Sequence, residues 1–260
     1  MATENLKPKS GSEAETGMSG MWDTVKTVVY AVLIALFIRT VAYEPFNIPS
    51  GSMIPTLLVG DYLFVSKFSY GYSHHALPLS PRIFSGRVFD AAPERGDVIV
   101  FKLPRDNETD YIKRVIGLPG DKIQMHRGRL YINGKLVKRQ KIEDFIDDNG
   151  RSAPQFVETL PNGRRHRILE VRGDGSDLDN TREYAVPPGH YFMMGDNRDN
   201  SADSRVQKDM SPSWVSYVPA ENFVGRADVL FFSTDGSAGW WRFWRWISAM
   251  RFSRLFQVIE

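Results

Sequence analysis

RLYINGKLV, residues 129–137, places Asn133-Gly134 between two apolar stretches. A type I′ turn needs positive φ at both central residues, and Asn-Gly accepts this conformation readily, so we expect a β-hairpin here. Other short segments rich in β-branched and aromatic residues also predict strands. They are DYLFVS (61–66), DVIVF (97–101), YFMM (191–194) and FVGRADVLFF (223–232). The sequence therefore predicts a mainly β fold built from antiparallel sheets.

The composition excludes several classes of function. Lys and Arg number 33 and Asp and Glu number 31, giving a net charge of +2. Such a balance provides no strong positive field for nucleic acid, so we expect no nucleic-acid partner. Cysteine is absent, which excludes disulfides, Cys-bound zinc and a thiol nucleophile. Covalent catalysis would have to use Ser, Thr, Lys or a carboxylate.

The strongest apolar run is TVVYAVLIALFI at residues 27–38. Together with the residues around Lys26 and Arg39 it reaches the roughly 20 residues that a spanning helix needs. A cleaved signal would end in a small-residue cleavage site, whereas this chain continues as YEPF. A buried core helix is the other alternative. We predict a retained transmembrane anchor at 21–43 behind a polar, disordered tail at 1–20.

Basic residues flanking this segment indicate its orientation. Lys7, Lys9 and Lys26 lie on its amino side and Arg39 near its other end. The positive-inside rule therefore places the amino-terminus in the cytoplasm and the rest of the chain outside.

Beyond the anchor we predict a main β domain formed by 44–134 and 189–235. The more polar stretch 135–188, punctuated by turn signals, is predicted to be an inserted β-rich subdomain. The C-terminal segment 236–260 contains GWWRFWRWISAMRFSR, in which Trp and Arg alternate as in a membrane-interfacial segment. A helix packed on the domain and a surface for a partner protein are the alternatives.

Candidate chemistry begins with Ser52 in PSGSMIPT (49–56), where Gly51 permits close approach and a proline on each side stiffens the loop. The five histidines form no convincing Ser/His/Asp arrangement. Lys113, in YIKRVIG (111–117), is a better base, because its apolar neighbours predict a buried strand and burial lowers the pKa of a Lys. A surface position on that strand is the alternative interpretation.

GDNRDNSADSR (195–205) is rich in Asp and Asn, which are calcium ligands. However, the ligand spacing and closing Glu of an EF-hand loop are missing there and also in 174–179. We predict no metal and no cofactor, and expect residues 195–205 to buttress a site.

Three segments in this order behind an anchor closely resemble bacterial type I signal peptidase, a membrane-bound Ser/Lys protease that removes signal peptides. They are PSGSMIPTL (49–57), YIKRVIGLPGD (111–121) and GDNRDNSADSR (195–205), and RGDVIVF (95–101) resembles a further strand of that family. The resemblance covers residues 44–230, excluding the insertion at about 138–188. It implies that the main β domain is catalytic.

The resemblance also implies individual roles. Ser52 would be the nucleophile of an acyl-enzyme mechanism and Lys113 the general base. The Ser50 hydroxyl and the Ser52 backbone N–H would form the oxyanion hole, and Ser201 would hydrogen-bond and orient Lys113. Structural support is expected from Asp196, Arg114, Asp203 and Arg205.

Two shallow apolar pockets are implied for the small residues at substrate positions −1 and −3. Their expected lining is Phe46, Ile48, Pro49, Met53, Leu57, Leu63, Val100, Tyr111 and Ile112. The implied partners are preprotein signal peptides, membrane lipid and a nearby protein-export translocase. The implied location is the bacterial inner (cytoplasmic) membrane, single-pass, with the catalytic domain on the outer (periplasmic) side.

Two alternatives belong to other functional classes. A non-catalytic anchored β module could bind exported chains by strand addition, but it would not need both Ser52 and Lys113. A self-cleaving Ser/Lys regulator of transcription would need a DNA-binding helix pair before the β region, and the anchor does not suit it.

Overall fold

The computed structural model describes residues 13–77, 86–238, 241 and 243–260. Its α-helices are α1 (Glu13–Val41) and α2 (Trp246–Ala249). The strands are β1 (Tyr43–Asn47), β2 (Asp61–Ser66), β3 (Val98–Lys102), β4 (Asp110–Gly117), β5 (Lys122–His126), β6 (Arg129–Ile132), β7 (Lys135–Leu136), β8 (Lys138–Lys141), β9 (Phe145–Ile146), β10 (Ser152–Ala153), β11 (Gln155–Thr159), β12 (Arg165–Leu169), β13 (Tyr184–Ala185), β14 (His190–Met194), β15 (Val218–Pro219) and β16 (Phe223–Ser233). Short 3₁₀ helices span Gly51–Met53, Phe68–Tyr70, His74–Ala76, Asp177–Asp179, Ala220–Asn222, Phe243–Arg245 and Phe252–Arg254. The predicted mainly β fold is confirmed.

Helix α1 is not a core helix. Its stretch Met21–Val41 has a mean hydropathy of 1.8, and the most apolar part of this stretch is not buried against the rest of the described chain. A helix that is apolar on all sides and exposed on all sides suits a lipid environment. It begins at Glu13, eight residues before the predicted anchor, because an established helix extends readily through good helix formers such as Ala14 and Glu15. The predicted disorder of residues 1–12 lies outside the described residues.

The largest sheet has the strand order β1-β2-β16-β3-β4-β14-β15, with antiparallel neighbours. Its central strand β3 explains why DVIVF reads as a continuous apolar run. Successive side chains alternate between the two faces, so Val98 and Val100 enter one core cluster while Ile99 and Phe101 enter another. A strand buried on both faces needs apolar residues at every position.

A second sheet has the order β13-β5-β6-β7 and contains the predicted hairpin. Asn133 and Gly134 have φ values of 54° and 72°, and Ile132 pairs with Lys135 across the turn. Both central residues thus adopt the positive φ of a type I′ turn, which confirms the hairpin.

The boundaries predicted for the inserted subdomain, 135–188, cut through this second sheet. Strand β7 at its start pairs with β6, and β13 at its end pairs with β5. What is structurally separate is the sheet β12-β11-β8 together with the β9–β10 hairpin. A two-residue strand carries too little pattern to reveal its pairing partner in the sequence.

The C-terminal segment folds back on β16. Leu230 donates its backbone N–H to Gln257 (2.9 Å), and Arg254 forms a 2.6 Å ion pair with Asp61. Several large side chains of the segment nevertheless stay more than half exposed: Trp241, Trp244, Trp246, Ile247, Phe252 and Phe256. Contact of this aromatic surface with lipid stays a prediction.

Close packing between β4, β5 and β14 predicts that Gly117→Ala is destabilising. A Cβ at Gly117 would lie 2.8 Å from the Cβ of Phe192 and 2.9 Å from a side-chain carbon of Ile123. Overpacking of this kind costs about 1–3 kcal/mol of unfolding free energy. Gly175→Ala is the matched control, since no atom of the described structure lies within 4 Å of its added Cβ. Denaturant unfolding in detergent compares the two, and equal effects would contradict this packing.

Candidate active site

Ser52 lies on the 3₁₀ helix Gly51–Met53, in the loop that joins β1 to β2. Met53 and Leu57 are fully buried and anchor this loop in the core. Lys113 lies in the middle of β4, where it pairs with Ile99 of β3. The two elements bring Lys113 Nζ to 2.7 Å from Ser52 Oγ, a hydrogen bond between residues 61 positions apart.

Lys113 is poorly solvated, with 3% of its surface exposed. Burial lowers the pKa of its amine from 10.5 to about 8, although the carboxylates of Asp203 and Asp196 act in the opposite direction. A Lys with this pKa is neutral in roughly a tenth of molecules at pH 7. Its Nζ also donates to the carbonyl of Ile112 at 2.8 Å. The pair therefore has the geometry and the electrostatics of a nucleophile beside a general base.

The other two predicted serines differ in their contacts. Ser50 Oγ lies 3.4 Å from Ser52 Oγ. Ser201 is 8% exposed, and its Oγ makes no well-aligned hydrogen bond within the described residues. The expected hydrogen bond from Ser201 to Lys113 is not formed in this structure, where the Lys113 amine donates to Ser52 and Ile112. The roles of Ser50 and Ser201 stay predictions.

Gly195 brings the loop 195–205 against the Ser52 loop, and sequence reasoning gave it no role. A Cβ at Gly195 would lie 2.2 Å from Ser201 Oγ and 2.5 Å from the carbonyl oxygen of Ser52. Asn197 then donates its backbone N–H to the same carbonyl at 3.1 Å and its side-chain amide to Gly51. The absence of a side chain at Gly195 thus permits this close contact.

Two buried ion pairs hold this loop. Arg114 binds Asp196 with two hydrogen bonds of 2.9 and 2.7 Å, and Arg205 binds Asp203 with two of 2.9 Å. Burial alone would raise the pKa of both carboxyls, but each arginine holds the pKa of its partner below the ordinary value. Thr56 adds a 2.5 Å hydrogen bond to Asp196.

The cleft beside Ser52 and Lys113 has a volume of about 410 Å³. Six of the predicted pocket residues line it: Phe46, Ile48, Pro49, Val100, Tyr111 and Ile112. The prediction is wrong for Met53, Leu57 and Leu63, which are 0% exposed and form the core beneath the cleft. Lining residues that the sequence did not reveal are Asn47, Thr109, Asp110, Asn200 and Ala202. No histidine of the described chain lines the cleft.

One side of the cleft is an unpaired stretch of strand. Strand β14 pairs with β4 through Arg114, Val115 and Gly117. Within the described residues, the preceding part of β4, at Tyr111 and Ile112, pairs with β3 alone. Its outer edge can therefore accept an extended peptide by strand addition.

The inserted sheet also contacts the candidate site, a contact that no motif suggested. Glu158 on β11 receives two hydrogen bonds from Arg198, one of 2.9 Å, and both side chains are almost fully buried. At the end of β12, Leu169 donates its backbone N–H to Asp196 at 2.9 Å and accepts one from Arg198 at 3.0 Å. The inserted sheet therefore braces the loop that packs on Ser52.

This bracing predicts that Glu158→Gln weakens both stability and catalysis. The substitution leaves the buried guanidinium of Arg198 without its counter-charge, and such a loss costs about 3–5 kcal/mol. Thermal unfolding and peptide cleavage can be measured on the same sample. Asp209→Asn, which removes a carboxylate from an exposed pair with Arg182, is the control and should change little. Equal behaviour of the two variants would show that the ion pair does not brace the loop.

Comparison with known proteins shows which family this chain resembles. The family model described as "Signal peptidase, peptidase S26" matches residues 21–232. Signal peptidase I of Rickettsia canadensis is 42% identical over 250 residues, covering 89% of this chain and 91% of the relative. That of Rickettsia conorii is 38% identical over 275 aligned positions, covering 99% and 97%.

Among solved structures, a signal peptidase I from Enterococcus faecalis is 27% identical, covering 52% of this chain and 97% of its own, with a TM-score of 0.31. The extent of the family match and the identity to full-length relatives show that this chain belongs to the signal peptidase family, peptidase S26.

Proposed function

We propose that this serine endopeptidase removes N-terminal signal peptides from exported preproteins, with Ser52 as nucleophile and Lys113 as general base. The observation that carries the proposal is the 2.7 Å contact between Ser52 Oγ and Lys113 Nζ at the wall of an apolar cleft. A serine hydroxyl is a weak nucleophile unless a neighbouring base accepts its proton. A buried lysine with a pKa of about 8 can supply that base.

In the acylation step, neutral Lys113 accepts the Ser52 proton while Oγ attacks the scissile carbonyl. The resulting oxyanion faces the Ser50 hydroxyl and the Ser52 backbone N–H. The Lys113 ammonium then protonates the leaving amine, which departs as the mature protein. In the second step Lys113 takes a proton from a water, and the water attacks the acyl ester. The Lys113 ammonium then returns this proton to Ser52 Oγ as the signal peptide leaves with a free carboxyl group, which ionises in solution.

Ser201 is proposed to orient the lysine once the ammonium releases Ser52. Its buried hydroxyl lacks a well-aligned partner and lies beside Gly195 and the Ser52 carbonyl. The Ser201 hydroxyl also interacts with the Asp203 carboxylate and helps to lower the pKa of that carboxyl. A hydrogen bond from Ser201 to Lys113 during turnover would orient the amine. Two other features, the ion pairs Arg114–Asp196 and Arg205–Asp203, keep the loop in place for this exchange.

The cleft suits an extended substrate with small side chains. The free edge of β4 at Tyr111 and Ile112 supplies main-chain hydrogen bonds, and the apolar wall supplies shallow pockets. We therefore propose that substrate positions −1 and −3 carry small residues, whose side chains bind in these shallow pockets on the Ser52 side of the cleft.

Membrane attachment is proposed to occur through Met21–Val41, with the catalytic domain on the outer side of the bacterial inner membrane. Helix α1 runs directly into β1, and Arg39 forms a 2.9 Å ion pair with Glu44. Phe46 and Asn47, which line the cleft, lie only about 15 Å along the strand from the end of the helix. The cleft is thus close to the lipid surface, where the apolar core of a signal peptide ends. Proximity to the export translocase is part of the same proposal.

Replacing either member of the pair tests the chemistry. Ser52→Ala and Lys113→Met are expected to reduce cleavage of a purified preprotein by on the order of 10³-fold or more, because nucleophile and base act as a unit. Ser237→Ala and Lys138→Met, both at exposed positions, are the matched controls and should retain activity. Ser52→Ala should still bind an uncleaved signal peptide. Normal cleavage by either site variant would refute the assignment.

The pH dependence tests the base separately. Only the neutral amine of Lys113 can accept the Ser52 proton, so kcat/KM should rise with pH through about 8 and level off above it. Below that pKa, each unit of pH should reduce kcat/KM about tenfold. The measurement is initial rates of peptide cleavage between pH 6 and 10 at fixed ionic strength. A profile that stays flat from pH 6 upwards would exclude a lysine base with this pKa.

A further inference from the structure

Three carboxylates from separate segments meet beside the loop 195–205. Glu170 follows β12, Asp179 ends the 3₁₀ helix Asp177–Asp179, and Asp199 belongs to the loop itself. Each offers one carboxylate oxygen, and these three oxygens lie within 4.8 Å of one another. Glu170 is 1% exposed and Asp179 is 0% exposed. Their mutual repulsion is therefore only weakly screened by solvent.

Each of these carboxylates also has an oxygen without a partner. Glu170 Oε2, Asp179 Oδ1 and Asp199 Oδ1 are buried and accept no hydrogen bond from the described residues. Buried polar atoms are almost always paired in folded proteins. An unpaired oxygen on each of three neighbouring carboxylates therefore indicates a shared ligand.

The surrounding charges do not satisfy the cluster. Arg139 donates to Glu170 Oε1 at 3.0 Å but also to the exposed carboxylate of Asp174, and Arg198 is paired with Glu158. The other contacts are backbone N–H groups, from Arg172 to Asp199 at 2.7 Å and from Ser176 to Asp179 at 2.6 Å.

We propose that Glu170, Asp179 and Asp199 bind a hard divalent cation of the Ca²⁺ type. All the protein ligands are carboxylate oxygens, which hard cations prefer. Oxygens within 4.8 Å of one another can bind a single ion at the metal–oxygen distances of about 2.4 Å that Ca²⁺ takes. Mg²⁺ is a poorer candidate because it usually keeps more water and fewer carboxylates.

This site was invisible in the sequence. Residues 174–179 and 195–205 each lack the ligand spacing of an EF-hand loop. The fold supplies one ligand from each of these segments and the third from Glu170. The earlier expectation of no metal considered only ligands close together in sequence.

A cation here would join two parts of the chain that support the candidate active site. Asp199 lies two residues before Ser201, whereas Glu170 directly follows the strand whose Leu169 pairs with this loop. The proposal does not require that Ser52 and Lys113 carry out catalysis, because its readouts are binding and stability.

The test uses the full-length chain in detergent after EDTA treatment and removal of the chelator. Adding CaCl₂ should raise the thermal midpoint by several °C in a concentration-dependent manner, because the ion binds the folded state alone. Directly excited Tb³⁺ luminescence should rise with protein and fall when Ca²⁺ displaces Tb³⁺. Glu170→Gln should lose both responses. Asp177→Asn removes an exposed carboxylate from the same 3₁₀ helix and should keep both.

Asp199→Asn is the second variant, so that the test stands even if Glu170→Gln fails to fold. A wild-type midpoint that is unchanged by Ca²⁺, together with no Tb³⁺ signal, would overturn the proposal and favour a proton shared between the carboxyls. Responses of equal size in wild type and Asp199→Asn would overturn it as well, since the ion would then bind elsewhere.

Discussion

The desolvation of Lys113 is the constraint on which the candidate active site depends. An ammonium group withdrawn from water loses far more solvation energy than the interior returns, and this loss favours the neutral amine. Strand β4 achieves the withdrawal by holding Lys113 beneath the Ser52 loop, with 3% of its surface exposed. The loop can cover the amine because Met53 and Leu57 fix it in the core. Packing around Lys113 thus sets the protonation equilibrium of its amine.

The neighbouring acidic residues limit this effect without cancelling it. Asp196 and Asp203 both favour a charged Lys113. Each of them, however, is bound by its own arginine through two hydrogen bonds, which neutralise most of its field. The loop can therefore contain buried carboxylates for its own rigidity while the lysine keeps a pKa of about 8. The inserted sheet adds a further buried ion pair, because Glu158 neutralises a third arginine, Arg198.

Local sequence patterns predicted the secondary structure well, whereas contacts between segments far apart in the sequence were mostly not predicted. The hairpin at Asn133-Gly134 and the main strands follow from alternation and turn chemistry, and family motifs placed Ser52 beside Lys113. The assignment of Met53, Leu57 and Leu63 to the pockets failed because a motif position does not show which face of a loop or strand is covered. Glu158 and Arg198 lie 40 positions apart, and Glu170, Asp179 and Asp199 come from three separate segments. The spacing of residues in the sequence does not specify contacts between such distant segments.

The connection from α1 to β1 gives the fold its functional geometry. An anchor attached by a long linker would leave the cleft at a variable distance from the lipid. Here the helix ends at Val41 and β1 begins at Tyr43, and the Arg39–Glu44 ion pair spans the junction. Because Phe46 and Asn47 of β1 line the cleft, the strand that leaves the helix is itself part of the proposed substrate site. In the proposed membrane attachment, the distance between membrane and cleft is set by a few residues of paired β-strand, which is stiff. A peptide whose apolar helix ends at the lipid surface would meet the cleft within a similarly short extended segment.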